Sequence, residues 1–485
     1  MAGKTDEEFT MEKEKSRGSR LLYLVPLLGT FFYIAYILAA TQDVVYTDYI
    51  RLINSYLPDV WNPAKFFVPD ILTRMPVNYL ERIINVVFFH YSTTFDMILG
   101  AVSMGAAGLV LALYCRDRKT GPACFLAAMV FFFSLNKWEM ITNGTGWCHF
   151  LSFAGFYWHY LLWDRVWGRQ INGIKGEKEN AQDRRERRLL MVLPWLITLG
   201  TAGPYCGAYT AVLVLIYGGC FLLDWKEKKR PDFRHLIYGA CGVIPMILYL
   251  ISNSFAVTEH AGATGRSIAQ VLGDNFMLFP KFLIKSLASM VMGEEVLMDF
   301  LARLDKGMAL CYLLGLAVLL AYILAIYWQI RLKLYRQSIF PLMLIFWGGL
   351  NHLLVLAARW IFENSDYGMS SRYALQYQVG ILGIILTFGL ARKAAGRWFT
   401  QAAKVISLLL VCIILGGNLY TTGKELDKAS DRKAYAANIE QVALNYRQES
   451  DEELETWLQY HHGPEKIRHA LEILEEQKWN IFGGE

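Results

Sequence analysis

The carboxylates Asp43 and Asp48 stand just beyond the first long apolar run, in Gln42-Asp43-Val44-Val45-Tyr46-Thr47-Asp48-Tyr49. A carboxylate at such a junction can take a proton from a hydroxyl or ligate a metal beside a lipid-linked substrate. It can equally cap a helix start, and Asp48 precedes Tyr49-Ile50-Arg51-Leu52-Ile53 as an N-cap would. Five residues apart, the two would not share one helix face closely, so spacing alone defines no carboxylate pair. Arg359 ends a late apolar run and Arg372 begins the next, with Glu363-Asn364-Ser365-Asp366-Tyr367-Gly368 between them. Two guanidinium groups converging across so short a loop suit a lipid phosphate or pyrophosphate, because each offers parallel N–H donors. Both also read as interfacial anchors with snorkelling stems. His352 precedes Arg359 by two helical turns on about the same face. An ionisable side chain inside an apolar run is a functional candidate; a neutral His bonded to a neighbouring helix is the competing reading.

These side chains need a scaffold that holds them at a lipid boundary, and composition supplies one. Of 485 residues, 54% are hydrophobic and 19% charged, with mean hydropathy +0.27. The apolar residues fall in blocks of about twenty, enough to cross roughly 30 Å of hydrocarbon as helix. The reading is an all-α polytopic membrane protein with eleven spans: 21–40, 95–115, 121–140, 147–163, 189–202, 204–223, 235–254, 307–327, 340–358, 373–391 and 404–420. Segments 1–20, 116–120, 164–188, 224–235, 328–337 and 391–404 carry 28 Lys and Arg, and the alternate connections carry 12. The basic set belongs to the cytoplasm. The N-terminal segment 1–20 is therefore expected inside, the transmembrane domain over 21–420, and the tail 421–485 outside. The net charge of +5 is a topology signal, not a sign of nucleic-acid binding. The first apolar run is long enough to stay as an anchor, so no cleavable signal peptide is expected. The eight Cys lack a CxxC pair and read as small core residues.

The loops expected on the outer face carry most of the polar information. Loop 41–94 adds Arg51, Asp70, Arg74, Glu81, Arg82 and Asn85 among aromatic residues. From Val77 its apolar positions Leu80, Ile83, Ile84, Val87 and Phe88 recur at three and four, which predicts an interfacial helix. Loop 254–306 holds Glu294, Glu295 and several cations, with a flexible Gly262-Ala263-Thr264-Gly265 stretch and an amphipathic run from Phe276 to Met292. It suits a lid or a plain connector. Lys137 and Glu139 form a third patch, in which Lys137 reads as solvated. In the tail, Ser450 and Glu453 form a capping-box pattern, and Ile467, Leu471 and Leu474 share a face of a helix over 465–478. No phosphate-binding Gly loop is present, so ATP hydrolysis is not expected.

The basic N-terminus, single span, Asp-bearing loop and many further spans resemble the GT-C class of polytopic glycosyltransferases. Ser370-Ser371-Arg372-Tyr373 at the start of a late span resembles an element of bacterial proteins of this kind. So does the tail, with Ile467-Arg468-His469-Ala470-Leu471-Glu472-Ile473-Leu474 and Asn480-Ile481-Phe482. The resemblance implies transfer of a sugar from a polyprenyl-phosphate donor to a cell-envelope glycan or glycolipid on the extracytoplasmic face. Asp48 would be the base, with Asp43 second. Arg359 and Arg372, with Arg51 or Arg74 as alternatives, would hold the lipid phosphate; Asp70, His352 and Tyr373 complete the substrate-binding set. No Asp-Asp or Glu-Asp pair is present, so a divalent metal is left open. Two rival readings remain at this level: a lipid-linked glycan transporter or flippase, and a non-enzymatic envelope-assembly protein. The first predicts ionisable residues along a path through the spans, of which His352 is the clear example.

Overall fold

The computed structural model describes residues 6–67, 76–172, 181–229, 231–253, 262–394 and 401–483, and all regular structure among them is helical. The long helices are α1 (Asp6–Ala40), then, after a short α2 (Asp48–Tyr56) and α3 (Pro76–Phe89), α4 (Thr93–Asp117). The third expected span is broken into α5 (Pro122–Phe132) and α6 (Trp138–Thr142). Other helices claim the backbone and side chains at the break. Leu135 N–H donates to Thr422 Oγ1 at 3.1 Å, and Asn136 Nδ2 to the Ser289 carbonyl at 2.8 Å. Next come α7 (Trp147–Asn172), α8 (Ala181–Ile197), α9 (Cys206–Lys228) and α10 (Arg234–Asn253). Short helices α11 (Ile268–Asp274), α12 (Leu278–Ala288) and α13 (Glu294–Leu301) lead to α14 (Gly307–Arg331), α15 (Leu334–Gln337), α16 (Phe340–Arg359), α17 (Ser371–Ala394) and α18 (Gln401–Asp427). The tail forms α19 (Ala429–Leu444), α20 (Asp451–Trp457) and α21 (Pro464–Gln477).

Among the described residues, nine helices are long and apolar enough to cross a membrane. The protein is an all-α, multi-pass membrane protein. α7 and α8 are not among the nine. α8 carries an arginine-rich first half, and its apolar end, Thr198–Ala202, widens into a π-helical turn where a regular span was expected.

The bundle is built around α17, whose side chains are buried on every face from Tyr373 to Thr387. A helix apolar all round belongs at the centre of its neighbours. α16 lies against it closely at Gly348 and Gly380, where a Cβ on either would overlap the other strand of backbone or the Tyr322 hydroxyl. Small residues permit this approach where no hydrophobic drive separates helix from lipid. Polar bonds lock the contacts: Gln329 Nε2 donates to Thr387 Oγ1 at 2.8 Å, and Asn418 Nδ2 to the Met290 carbonyl at 2.8 Å. The perimeter is apolar, with Ile247, Ile251, Ile323, Leu408 and Leu409 exposed as lipid requires.

A second hydrophobic core caps one end of the bundle. Val45, Tyr49, Ile50 and Ile53 of the first connection pack on Ile439, Leu454, Ile467, Leu471 and Leu474 of the tail. The capping box at Ser450 and Glu453 forms as its spacing predicts. Beside this core, α3 points Leu80, Ile84, Val87 and Phe88 outward and buries Asn78, Glu81, Arg82 and Asn85. An apolar face turned outward and a polar face turned in suit a helix lying along a membrane surface.

Candidate functional site

Asp48 is the first residue of α2, and its orientation is set by the residue before it. Thr47 adopts φ 52°, in the left-handed region that a β-branched residue rarely enters. Such a conformation costs on the order of 1–3 kcal/mol and persists only where surrounding contacts impose it. Here the tail imposes it: Thr47 N–H donates to the Leu458 carbonyl at 2.7 Å. The Asp48 side chain is 41% exposed, with Arg51 one turn on at 3.4 Å.

Arg372, in the first turn of α17, pairs with Glu139 of α6. Glu139 also accepts from Ser371 Oγ at 2.9 Å. The break in the third span is what turns Glu139 toward this point. The charge of Asp48 acts on Arg372 alongside that of Glu139. Arg359, at the end of α16, stands 5.9 Å from the ring centres of Phe362, Tyr367 and Tyr373. Tyr205 lies within charge-interaction range of Tyr373, Arg359 and Asp48. Asp48, Arg359, Arg372 and Tyr373 therefore gather at one end of the bundle, around Tyr205 and Glu139. Tyr46 borders the same cluster: burial, with Glu139 beside it, pushes its phenol up to about 12, so it stays neutral and can donate a hydrogen bond.

The neighbouring connection adds more charge. Lys285 of α12 is buried, pairs with Asp366 and donates to Ser365 Oγ at 3.1 Å. Glu294, first residue of α13, lies half-buried near Glu139 and Asp366. The Gly262–Gly265 stretch, expected to be flexible, is pinned by Thr264 N–H to the Ile361 carbonyl at 2.7 Å, and Arg266 pairs with Glu363 at 3.0 Å. The tail reaches the cluster through Arg432, whose guanidinium carbon lies 3.2 Å from the centre of the Trp138 ring.

Other expected site residues fall elsewhere. Asp43 accepts from Ser92 Oγ at 2.6 Å, Thr93 N–H at 2.6 Å, Thr93 Oγ1 at 2.8 Å and Asn480 Nδ2 at 2.9 Å. It serves the start of α4 and ties it to the tail, the work of a helix cap. A groove of about 520 Å³ runs beside it, lined by Leu38, Gln42, Thr94, Lys433 and Glu440 among others. His352 is inside the bundle, its ring stacked on Tyr377 at 3.9 Å and its Nδ1 2.8 Å from Ser286 Oγ. Lys137, expected to be solvated, is 1% exposed and donates to the Ser134 carbonyl at 2.9 Å. Asp70 and Arg74 lie outside the described residues. Arg51 is turned to Asp48.

Sequence spacing could not reveal Glu139, Lys285 and Glu294 as members of this cluster. Arg372 and Glu139 are 233 residues apart, and only the fold joins them. For a metal, Asp224, Asp232 and His235 bring ligand atoms within 4.8 Å of one another at the opposite end of α9, but Arg234 Nε grips Asp232 at 3.0 and 3.1 Å. Chemically, the cluster offers guanidinium donors for phosphate oxygens and carboxylates for proton transfer, side by side. Compared with known proteins, the chain matches no family model, no curated protein and no solved structure.

Proposed function

We propose that this protein is a membrane glycosyltransferase of GT-C type, working in the cell membrane with its N-terminus cytoplasmic and its tail extracytoplasmic. The donor is a sugar on a polyprenyl phosphate, and the acceptor is a cell-envelope glycan or glycolipid. The observation that carries this reading is the meeting of one accessible carboxylate, Asp48, with Arg359, Arg372 and Tyr373 at one end of an apolar bundle. Asp48 takes the proton of the acceptor hydroxyl as its oxygen attacks the anomeric carbon. Arg359 and Arg372 hold the departing lipid phosphate, where a partly dehydrated boundary strengthens each charge contact. Arg51 stands beside Asp48 at 3.4 Å. Arg372 is half-exposed and can exchange part of its pairing with Glu139 for a phosphate oxygen.

Purified protein in lipid nanodiscs, given radiolabelled sugar on a polyprenyl phosphate and a glycolipid acceptor, tests the reading. Wild type is expected to transfer label and Asp48→Asn to lose it. Equal transfer by both removes Asp48 as base. No transfer by wild type from any lipid-phosphate donor removes the enzymatic reading and favours a transport or assembly role.

A further inference from the structure

α7 starts at Trp147, just after Asn143 reaches Thr47 of the first connection, and ends at Asn172, at the end of the bundle away from the Asp48 cluster. There its last turns hold the start of α8, which presents two unlike faces. Glu186, Leu190, Pro194 and Ile197 recur at three and four and are buried. Arg184, Arg185, Arg188, Leu189 and Val192 recur at the same spacing on another face and, with Ala181, line a shallow groove of about 420 Å³. The three guanidinium groups and Val192 are exposed, so the groove lies open at the perimeter. Leu196, one turn beyond Val192, is exposed as well. One continuous stripe thus passes from three cations to three aliphatic side chains.

The cations of this stripe are not balanced by their own helix. α8 has two carboxylates, and both are turned to Arg169 of α7: Asp183 Oδ1 lies 2.7 Å from its Nε, and Glu186 pairs with its Nη2. Glu186 also accepts from Gln182 Nε2 at 3.2 Å. Arg184, Arg185 and Arg188 are left with no carboxylate or hydrogen-bond partner among the described residues. Other guanidinium groups at this end are matched. Arg118 holds Asp164 at 2.6 Å, Arg165 holds Asp117 at 2.6 Å, and Arg336 pairs with Glu227. Three unmatched cations within two turns of one helix face ask for an anion.

We propose that this stripe binds an anionic membrane phospholipid, with the headgroup phosphate on Arg184, Arg185 and Arg188 and an acyl chain along Leu189, Val192 and Leu196. Each guanidinium offers parallel N–H donors that match phosphate oxygens. The aliphatic continuation decides for a lipid over a soluble anion, which would gain nothing from Val192 or Leu196. Arg184 and Leu196 are separated by about 18 Å along the axis, at about 1.5 Å per residue. That is enough to pass from the headgroup layer into hydrocarbon. The site lies apart from the Asp48 cluster and needs only that the bundle sits in a bilayer, so it stands whether or not the protein transfers sugar. It differs from the general attraction of a basic helix end for an anionic surface, because it assigns the affinity to three named side chains.

The test uses the full chain, stripped of lipid in a neutral detergent and titrated with phosphatidylglycerol or phosphatidylcholine, with bound lipid counted by native mass spectrometry. Wild type is expected to prefer phosphatidylglycerol. The double variant Arg184→Gln, Arg188→Gln should bind it about 30-fold more weakly, the effect of two cations lost from a lipid phosphate. Lysine at both positions should keep part of the affinity, since the charge stays and the two-donor fork goes. Lys226→Gln with Lys229→Gln removes equal charge at the end of α9 and is expected to leave affinity within about 3-fold of wild type. All of these positions are exposed, so unfolding midpoints without lipid should barely move. A large excess of inorganic phosphate is expected to leave the lipid bound. If the double arginine variant binds phosphatidylglycerol as wild type does, the site is overturned. An equal loss in the lysine-to-glutamine variant overturns it too, since the attraction then belongs to the whole basic end. Displacement by inorganic phosphate would make a soluble anion the occupant and overturn the lipid assignment.

Discussion

Asp43 and Asp48 lie five residues apart on one connection, yet their surroundings share almost nothing. Asp43 has oxygens filled by Ser92, Thr93 and Asn480, and it joins α4 to the tail. Asp48 has Arg51 at 3.4 Å and a side chain left partly exposed. Asp164, at the other end of the bundle, repeats the first pattern: it accepts from Ile339 N–H at 2.7 Å and Phe340 N–H at 3.1 Å, capping α16, and from Arg118 Nε at 2.7 Å. A carboxylate whose lone pairs are spent on backbone donors holds structure. One left accessible beside cations is free to exchange protons and partners.

Substitutions can break this contrast. The largest effect falls on turnover in Asp48→Asn, which is expected to drop transfer about 100-fold or more. Its thermal midpoint should barely move, since exposed substitutions usually stay within about 0.5 kcal/mol. Asp43→Ala should reverse the pattern. Orphaning the Thr93 and Asn480 donors is expected to cost about 2–3 kcal/mol, read in detergent as a lowered unfolding midpoint, with activity per folded molecule largely kept. If Asp43→Ala were as stable as wild type yet inactive, the roles assigned to the two residues would have to be exchanged.

Two smaller effects sharpen the comparison. Arg432→Ala removes the stack on Trp138 and the pairing with Glu425, and should lower stability by about 1–2 kcal/mol. Glu294 gives a pH-dependent signature. Burial, with Glu139, Glu295 and Asp366 beside it, pushes its folded carboxyl up to about 7 from the ordinary 4.5, so between those limits the folded state holds the extra proton. Stability then falls as pH rises from about 4.5 to 7. Glu294→Gln should therefore be more stable than wild type at pH 8, by about 1 kcal/mol after allowance for partial exposure, and no more stable at pH 4. Urea or thermal unfolding at both pH values reads the difference; an equal gain at both would show that neither burial of the charge nor like-charge crowding is its source.

Much of the fold is legible in the residues. Hydropathy blocks and helical spacing mark α1, α4, α9, α10, α14, α16, α17 and α18, and the Ser450–Glu453 spacing marks α20. The alternation from Leu80 to Phe88 marks α3, with its apolar face outward. The break at Phe132–Trp138 is not legible, because Thr422 and Ser289 supply the competing bonds from far along the chain. Lys137 looks solvated for the same reason: its burial follows from that break. Within the site, the short Arg359–Arg372 connection is visible in sequence, since proximity along the chain nearly guarantees proximity in space. The partners Glu139, Lys285 and Glu294 are not, since each arrives on a separate helix.

The bond from Asn480 to Asp43 spans 437 residues. At about 5–20 residues per second, the stretch bearing Asp43 is made some 20–90 s before the asparagine that completes its ligation. Over that interval the strained Thr47 has no Leu458 carbonyl to hold it and the groove beside Asp43 has no far wall. The face that carries Asp48 is thus a late product of synthesis, and a ribosome that stops short of α20 releases a threaded bundle in which Asp48 was never aimed.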